Sequence, residues 1–166
     1  FAQVASQTPD WDLVMVGDGP MRASCEALVP EALRGRVKWT GFVGEQRVVS
    51  ALYRASHAFV LPSTYEPWAL VVNEAACAGL PLITTEVVGA SAELVRDGVN
   101  GWRIAPGDVD ALARAMLEVA QPGAAERMGA ASLDVLAQWR READPVKQLT
   151  DALARGGALA LPDAAD

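Results

Sequence analysis

Residues 61–85, LPSTYEPWALVVNEAACAGLPLITT, are largely apolar yet hold two glutamates eight positions apart, Glu66 and Glu74. The segment opens at the end of one short apolar run, AFVL (58–61), and closes on another, PLITT (81–85). Between them WALVVNEAACA (68–78) has helical spacing, and Gly79 followed by Pro81 suits a helix stop. Two short buried strands flanking one helix with tight links imply a parallel pair, the repeating unit of an α/β fold.

The same alternation extends in both directions. LVMV (13–16), VKWTGF (37–42) and GWRI (101–104) read as further strands, and PMRASCEALV (20–29), EQRVVSALYRAS (45–56) and SAELVRD (91–97) as helices. Pro20 suits a first helical turn. Asp108 is an N-cap for VDALARAMLEVA, which AAERMGAASLDVLAQWRREA follows; Pro145 then breaks the pattern before VKQLTDALAR. The expected fold class is α/β, a Rossmann-like doubly wound parallel sheet with helices on both faces. One domain over 1–156 and a loose acidic tail over 157–166 follow from the pattern.

The opening FAQVASQTPDWD resembles the end of a helix, whereas a doubly wound sheet opens on a strand. The expectation is therefore a domain truncated at its amino end and lacking its first strand. The gap would be filled by the tail segment ALALP (158–162), by a neighbour, or by residues of a longer gene product.

Bulk composition narrows the partners. The 166 residues are 51% hydrophobic and 21% charged, ordinary for a globular α/β chain. A net charge of −7 argues against a nucleic-acid backbone. No apolar run reaches membrane-spanning length, and no charged-then-apolar leader pattern occurs within these residues. Cys25 and Cys77 fit no metal or redox spacing and read as reduced core residues of a cytoplasmic protein. With His57 as the one histidine, ordinary ligand spacing yields no metal site. GDGPMR (17–22) lacks the third glycine of a dinucleotide fingerprint, which excludes NAD.

Pro67 disfavours a helical conformation at Glu66 and suits a helix start itself, so Glu66 belongs to the loop at the carboxyl end of AFVL. Ligands of open parallel sheets bind beyond those strand ends. The first amides of a helix starting at Trp68 would favour an anion, most simply a phosphate. Glu74 would then stand about 7–9 Å along the helix axis and could accept hydrogen bonds from hydroxyls. A sugar phosphate or a nucleotide offers both groups. The bland alternative is a glutamate facing water beside Asn73, but the flanking LVV and AACAGL leave little room for a polar stripe. An unpaired buried carboxylate costs several kcal/mol.

EPWALVVNEAACAGLPLI (66–83) closely resembles the E-x7-E signature of retaining, GT-B-fold glycosyltransferases of family 4. LVMVGDGP, VKWTGFV, LYRASHAFVLPSTYE and VGASAELVRDGVNGWRIAPGD resemble other landmarks of that family in the same order, over about residues 10–120. The resemblance implies the C-terminal, nucleotide-sugar-binding domain of such an enzyme. Glu66 and Glu74 would be its catalytic-site pair, Glu74 on the ribose hydroxyls and Glu66 on the donor sugar. The amides of Trp68, Ala69, Leu70 and Val71 would take the distal phosphate, with Pro67 lining the same nucleotide-sugar site. Phe42 and Val43 would border the base, and Gly17 and Gly19 would allow close approach or simply form a tight turn.

The donor would be a UDP-, GDP- or ADP-sugar, with no cofactor and no metal. The acceptor would be a glycan or lipid-linked molecule held by a separate N-terminal domain, in polysaccharide or lipopolysaccharide biosynthesis. Membrane contact would not run through this domain. Members of the family retain the anomeric configuration by front-face displacement, without a protein nucleophile.

Three departures weigh against activity of these residues alone: no acceptor half, no Arg and Lys clamp after a first strand, and Ala69 where the family has glycine. Ala69 is expected to crowd the turn by one methyl only. The competing expectation is a non-catalytic nucleotide-sugar-binding or scaffolding module. A phosphorylase would need a cofactor-bearing lysine, and neither Lys38 nor Lys147 lies in a suitable motif. His57 is expected at the surface and Trp11, Trp39, Trp102 and Trp139 in packing. Glu86 and Glu93 lie near enough in sequence to reach the donor sugar, Glu93 more simply as a first-turn helix carboxylate. DG (97–98) and NG (100–101) are turn chemistry.

Overall fold

The computed structural model describes residues 1–156. The expected tail over 157–166, with its ALALP segment, lies outside them. Five short strands form, β1 (Leu13–Val16), β2 (Val37–Gly41), β3 (Phe59–Leu61), β4 (Leu82–Thr85) and β5 (Gly101–Ile104), and every pairing between them is parallel. Among the described residues seven α-helices and a 3-10 helix (Glu31–Arg36) accompany them: α1 (Arg22–Ala27), α2 (Gln46–Ala55), α3 (Leu70–Cys77), α4 (Gly89–Leu94), α5 (Val109–Val119), α6 (Ala124–Glu142) and α7 (Pro145–Arg155). Asp108 caps α5 by accepting the Ala111 N–H at 2.8 Å, and Asp144 caps α7, which carries Pro145 in its first turn.

The sheet comes in two pieces, β1–β2 and β3–β4–β5. Residues 1–12 supply no strand to join them. They fold as successive turns rather than as a helix end, with Ala5 N–H donating to Phe1 O at 2.9 Å and Thr8 N–H to Val4 O at 3.1 Å. Arg36 staples this segment by donating to the carbonyls of Ala5, Thr8 and Trp11, with its guanidinium 5.3 Å from the Phe1 ring centre. Trp11 in turn meets His57 edge-on at 5.7 Å, which ties the amino end of β1 to the amino end of β3.

Strand alternation sends successive side chains to opposite faces. Phe59, Leu61 and Leu82 pack with α3, α4 and Leu136 of α6, while Val60 and Ile83 pack with α5, Trp102 and Met128. Helices therefore cover both faces of the three-stranded piece. The end of α3 is a Schellman turn: Gly79 takes φ 70°, its N–H reaches Ala76 O, and Leu80 N–H reaches Ala75 O at 3.1 Å. α6 crosses there so closely that a β-carbon on Gly129 would lie 2.1 Å from Gly79 O.

Asn100, expected only as a turn residue, is fully buried and joins three elements. Its carboxamide accepts from Arg96 N–H at 2.7 Å and donates to Leu94 O and Ser132 Oγ, and Ser132 donates on to Leu80 O at 2.7 Å. Two expectations are corrected. Cys25 is half-buried and Cys77 exposed, so neither is a core residue; α1 buries no residue and Cys77 falls on the outer side of α3, beside Arg140. α4 begins at Gly89, which places Glu93 in its second turn rather than its first.

Asn100→Ala leaves the Leu94 carbonyl and the Arg96 amide without buried partners, a loss of about 2–4 kcal/mol. Urea denaturation checks it against the exposed Val99→Ala, which should stay within about 0.5 kcal/mol of the parent.

Candidate functional site

The link from β3 to α3 is set by backbone pairing with the start of α4. Gly89 N–H donates to Glu66 O at 3.1 Å and Ala90 N–H to Trp68 O at 2.9 Å, while Glu66 and Val88 form a parallel bridge. The approach leaves no room at Gly89, where a β-carbon would sit 2.1 Å from Pro67 O. Residues 66–68 are thereby held outside the helix, with a bend at Pro67, and helical geometry becomes available only past Ala69. Ala69 makes the turn with φ 74° and ψ 80°, the one non-glycine residue at positive φ among the described residues.

The helix thus starts at Leu70, not Trp68, and Pro67 is a loop residue rather than the first helical one. The expectation for Ala69 also changes: its methyl does more than crowd, because left-handed backbone costs an L-residue roughly 1–2 kcal/mol. The Trp68 amide is not free either, since it donates to Glu66 Oε1 at 3.3 Å. The amides of Ala69, Leu70 and Val71 have no acceptor among the described residues, and Leu70 is 71% exposed above them. The Trp68 ring packs back onto α6, 6.1 Å from Trp139, with its N–H on Asn73 Oδ1 at 3.2 Å.

Glu74 lies one turn into α3, about 6 Å along the axis from Leu70 and on the same side. It is half-buried and takes part in no ion pair among the described residues. Its partners come from α2: Tyr53 Oη donates to Oε2 at 3.2 Å and Gln46 Nε2 to Oε1 at 3.3 Å. Burial, then the neighbouring Glu74 charge and its hydrogen bond, push the Tyr53 hydroxyl well above the usual tyrosine range.

At the carboxyl ends of β1 and β2, Gly17 N–H donates to Gly41 O at 3.0 Å, with φ of 126° and 69° at the two glycines. Space around Gly17 and Gly19 is open, and Gly19 N–H is held by Asp18 Oδ1 at 2.8 Å. Phe42 follows, 82% exposed, its ring lying over Gly44, where a β-carbon would come within 3.3 Å. Beyond half-buried Val43 the chain enters α2 at Gln46, which reaches Glu74. Arg22, next to Gly41, is committed to Asp18 at 3.5 Å and Glu26 at 2.8 Å. A concavity of about 560 Å³ between α1 and β2 is lined by none of these site residues.

Glu86 and Glu93 are exposed and make no hydrogen bond through their carboxylates among the described residues. Sequence reasoning missed Gln46, Tyr53 and Gly44. The available signal was the seven-residue spacing of Gln46 and Tyr53, two turns apart on one face of α2. Among the described residues no three His, Cys, Asp or Glu side chains gather to hold a metal, and no helix is long and apolar enough to cross a membrane.

A family model described as Glycosyl transferases group 1 matches residues 1–121. Glycogen synthase of Mycobacterium tuberculosis is 35% identical over 156 residues, covering 89% of this chain and 36% of that protein. The chain thus spans about a third of the length of this curated relative. The UDP complex of Anabaena HepE superposes with TM-score 0.68 at 26% identity, over 92% of this chain and 43% of that one. The C-terminal domain of a glycosyl transferase group 1 family protein from Francisella tularensis, LpcC, superposes with TM-score 0.70 at 20% identity. That match covers 82% of this chain and 73% of the other.

Gly89→Ala collides with a backbone carbonyl and should lower stability by more than about 2 kcal/mol. Ala69→Gly relieves roughly 1–2 kcal/mol of left-handed strain. It forfeits about 0.8 kcal/mol of methyl burial and some unfolded-state entropy, so its unfolding free energy from urea denaturation should stay within about 0.5 kcal/mol of the parent. The raised Tyr53 hydroxyl favours folding while neutral, and that contribution drains away as pH climbs past the unfolded value near ~10. Urea midpoints between about pH 8 and 11 should fall more steeply for the parent than for Tyr53→Phe.

Proposed function

The chain belongs to the group 1 glycosyl transferases and has the fold of a GT-B C-terminal domain; from that premise we propose that it is the donor-binding domain of a retaining glycosyltransferase. The reading rests chiefly on one arrangement. Three unpartnered amides, of Ala69, Leu70 and Val71, precede the Glu74 carboxylate by one turn of α3, at the carboxyl end of β3. Donors for a phosphate and an acceptor for hydroxyls stand about 6 Å apart on one helix, a separation suited to a nucleoside diphosphate sugar.

In this reading Glu74 accepts the ribose hydroxyls and Glu66 hydroxyls of the donor sugar, held in place by its bond from Trp68 N–H. Phe42 and Val43 border the base, and the glycine turn at Gly17 and Gly19 leaves room for the nucleotide. The free amides carry the charge that grows on the leaving phosphate as the glycosidic bond breaks, so the domain contributes placement and electrostatics rather than a nucleophile. UDP is supported by the HepE complex, which holds that nucleotide. The acceptor would be a glycan or lipid-linked molecule of polysaccharide or lipopolysaccharide synthesis, bound by the rest of the protein. Residues 1–166 alone would bind donor without transferring sugar.

Calorimetric titration of the chain with UDP, GDP and ADP tests the proposal. One nucleotide should bind selectively, and Glu74→Ala should weaken it at least about tenfold, as expected for hydrogen bonds to a charged group. Unchanged affinity in Glu74→Ala would remove the ribose assignment.

A further inference from the structure

Glu74 is a half-buried carboxylate with no cation, held by two neutral donors from a different helix. An ionised carboxylate has about four lone-pair sites. Tyr53 occupies one on Oε2 and Gln46 one on Oε1, which leaves one on each oxygen. A vicinal diol presents two O–H donors, one for each. We propose that Tyr53 and Gln46 are positioning residues that fix the Glu74 carboxylate to take a vicinal diol with both oxygens, so that the site selects ribonucleotides over nucleotides lacking that diol. The inference rests on the proposed role of Glu74 and extends it to two residues that touch no ligand group themselves.

The geometry supports a cradle rather than an incidental contact. Gln46 and Tyr53 stand two turns apart on one face of α2, and each grips a different oxygen. The Tyr53 ring is itself anchored, 6.1 Å from Phe59 of β3, so the hydroxyl cannot easily follow a wandering carboxylate. That hydroxyl also lies 3.4 Å from Val71 O, and its single proton favours the nearer Glu74. Because burial and the Glu74 charge keep Tyr53 protonated, it remains a donor across the neutral range. A lysine or arginine would hold the carboxylate as firmly, but it would also draw off the charge that strengthens the bonds to the diol.

The test is calorimetry of the full chain with UDP and 2′,3′-dideoxy-UDP, or the corresponding GDP or ADP pair if that base binds best. The parent should prefer the ribonucleotide. Tyr53→Phe and Gln46→Ala should each weaken ribonucleotide binding about 3- to 10-fold and leave dideoxynucleotide binding unchanged. Glu74→Ala should abolish the preference, and adding Tyr53→Phe to it should change nothing further. Tyr53→Phe keeps the ring and its packing, so a fold defect would show as equal loss for both nucleotides. Equal loss, or no loss, in Tyr53→Phe while Glu74→Ala erases the preference overturns the positioning role and leaves the ribose assignment standing. A preference that survives Glu74→Ala, or a parent that binds none of the diphosphates, overturns that assignment and this inference together.

Discussion

Two backbone hydrogen bonds, from Gly89 to the Glu66 carbonyl and from Ala90 to the Trp68 carbonyl, determine where α3 begins. They hold residues 66–68 out of the helix, delay its start to Leu70, and force Ala69 through a left-handed turn. The free amides, their distance from Glu74 and the contact between Trp68 N–H and Glu66 all follow from that delay. The constraint is costly at both ends: glycine is required at 89 by the carbonyl beneath it, and strain is accepted at 69. Such strain persists only where surrounding structure over-determines the backbone, which here is the pairing to α4.

Glu74 shows how a carboxylate can be half-buried without an ion pair. A cation in its place would add Coulombic attraction yet demand its own desolvation, and the two terms often cancel. Neutral donors avoid that exchange and leave the full negative charge available to a ligand. They also bind α2 to α3 on the face of the three-stranded piece where Tyr53 packs beside Phe59.

Much of this was legible locally. All five strands were located within a residue or two, because short apolar runs bounded by turn residues carry their own boundaries. The Schellman end of α3 was visible in Gly79 and Pro81, and the N-cap in Asp108. The start of α3 was not. Pro67 is a true helix-start signal, but hydrogen bonds from residues 89 and 90 outrank it, and nothing near Pro67 announces them. Glu66 and Glu74 stood out by spacing within one segment, while Gln46 and Tyr53 sit 28 and 21 residues from the carboxylate they hold. Asn100 was taken for a turn residue for the same reason: its buried partner Ser132 is 32 residues away. The divided sheet could be anticipated, since residues 1–12 contain no apolar run of strand type.

Among the described residues strand β1 has one hydrogen-bonded neighbour, yet its sequence is LVMV and Val14, Met15 and Val16 stay 41%, 37% and 52% exposed. The consequence is an adhesive edge. An apolar strand edge that no described residue pairs is a template on which another strand, from the rest of the protein or from a second chain, can lay down backbone pairs, and it has no charge, proline or bulge to discourage this along its first three residues. The register shift between Met15 and Val16 and the turn at Gly17 confine the adhesive stretch to a few residues, too short for an extended zipper but long enough to seed pairing.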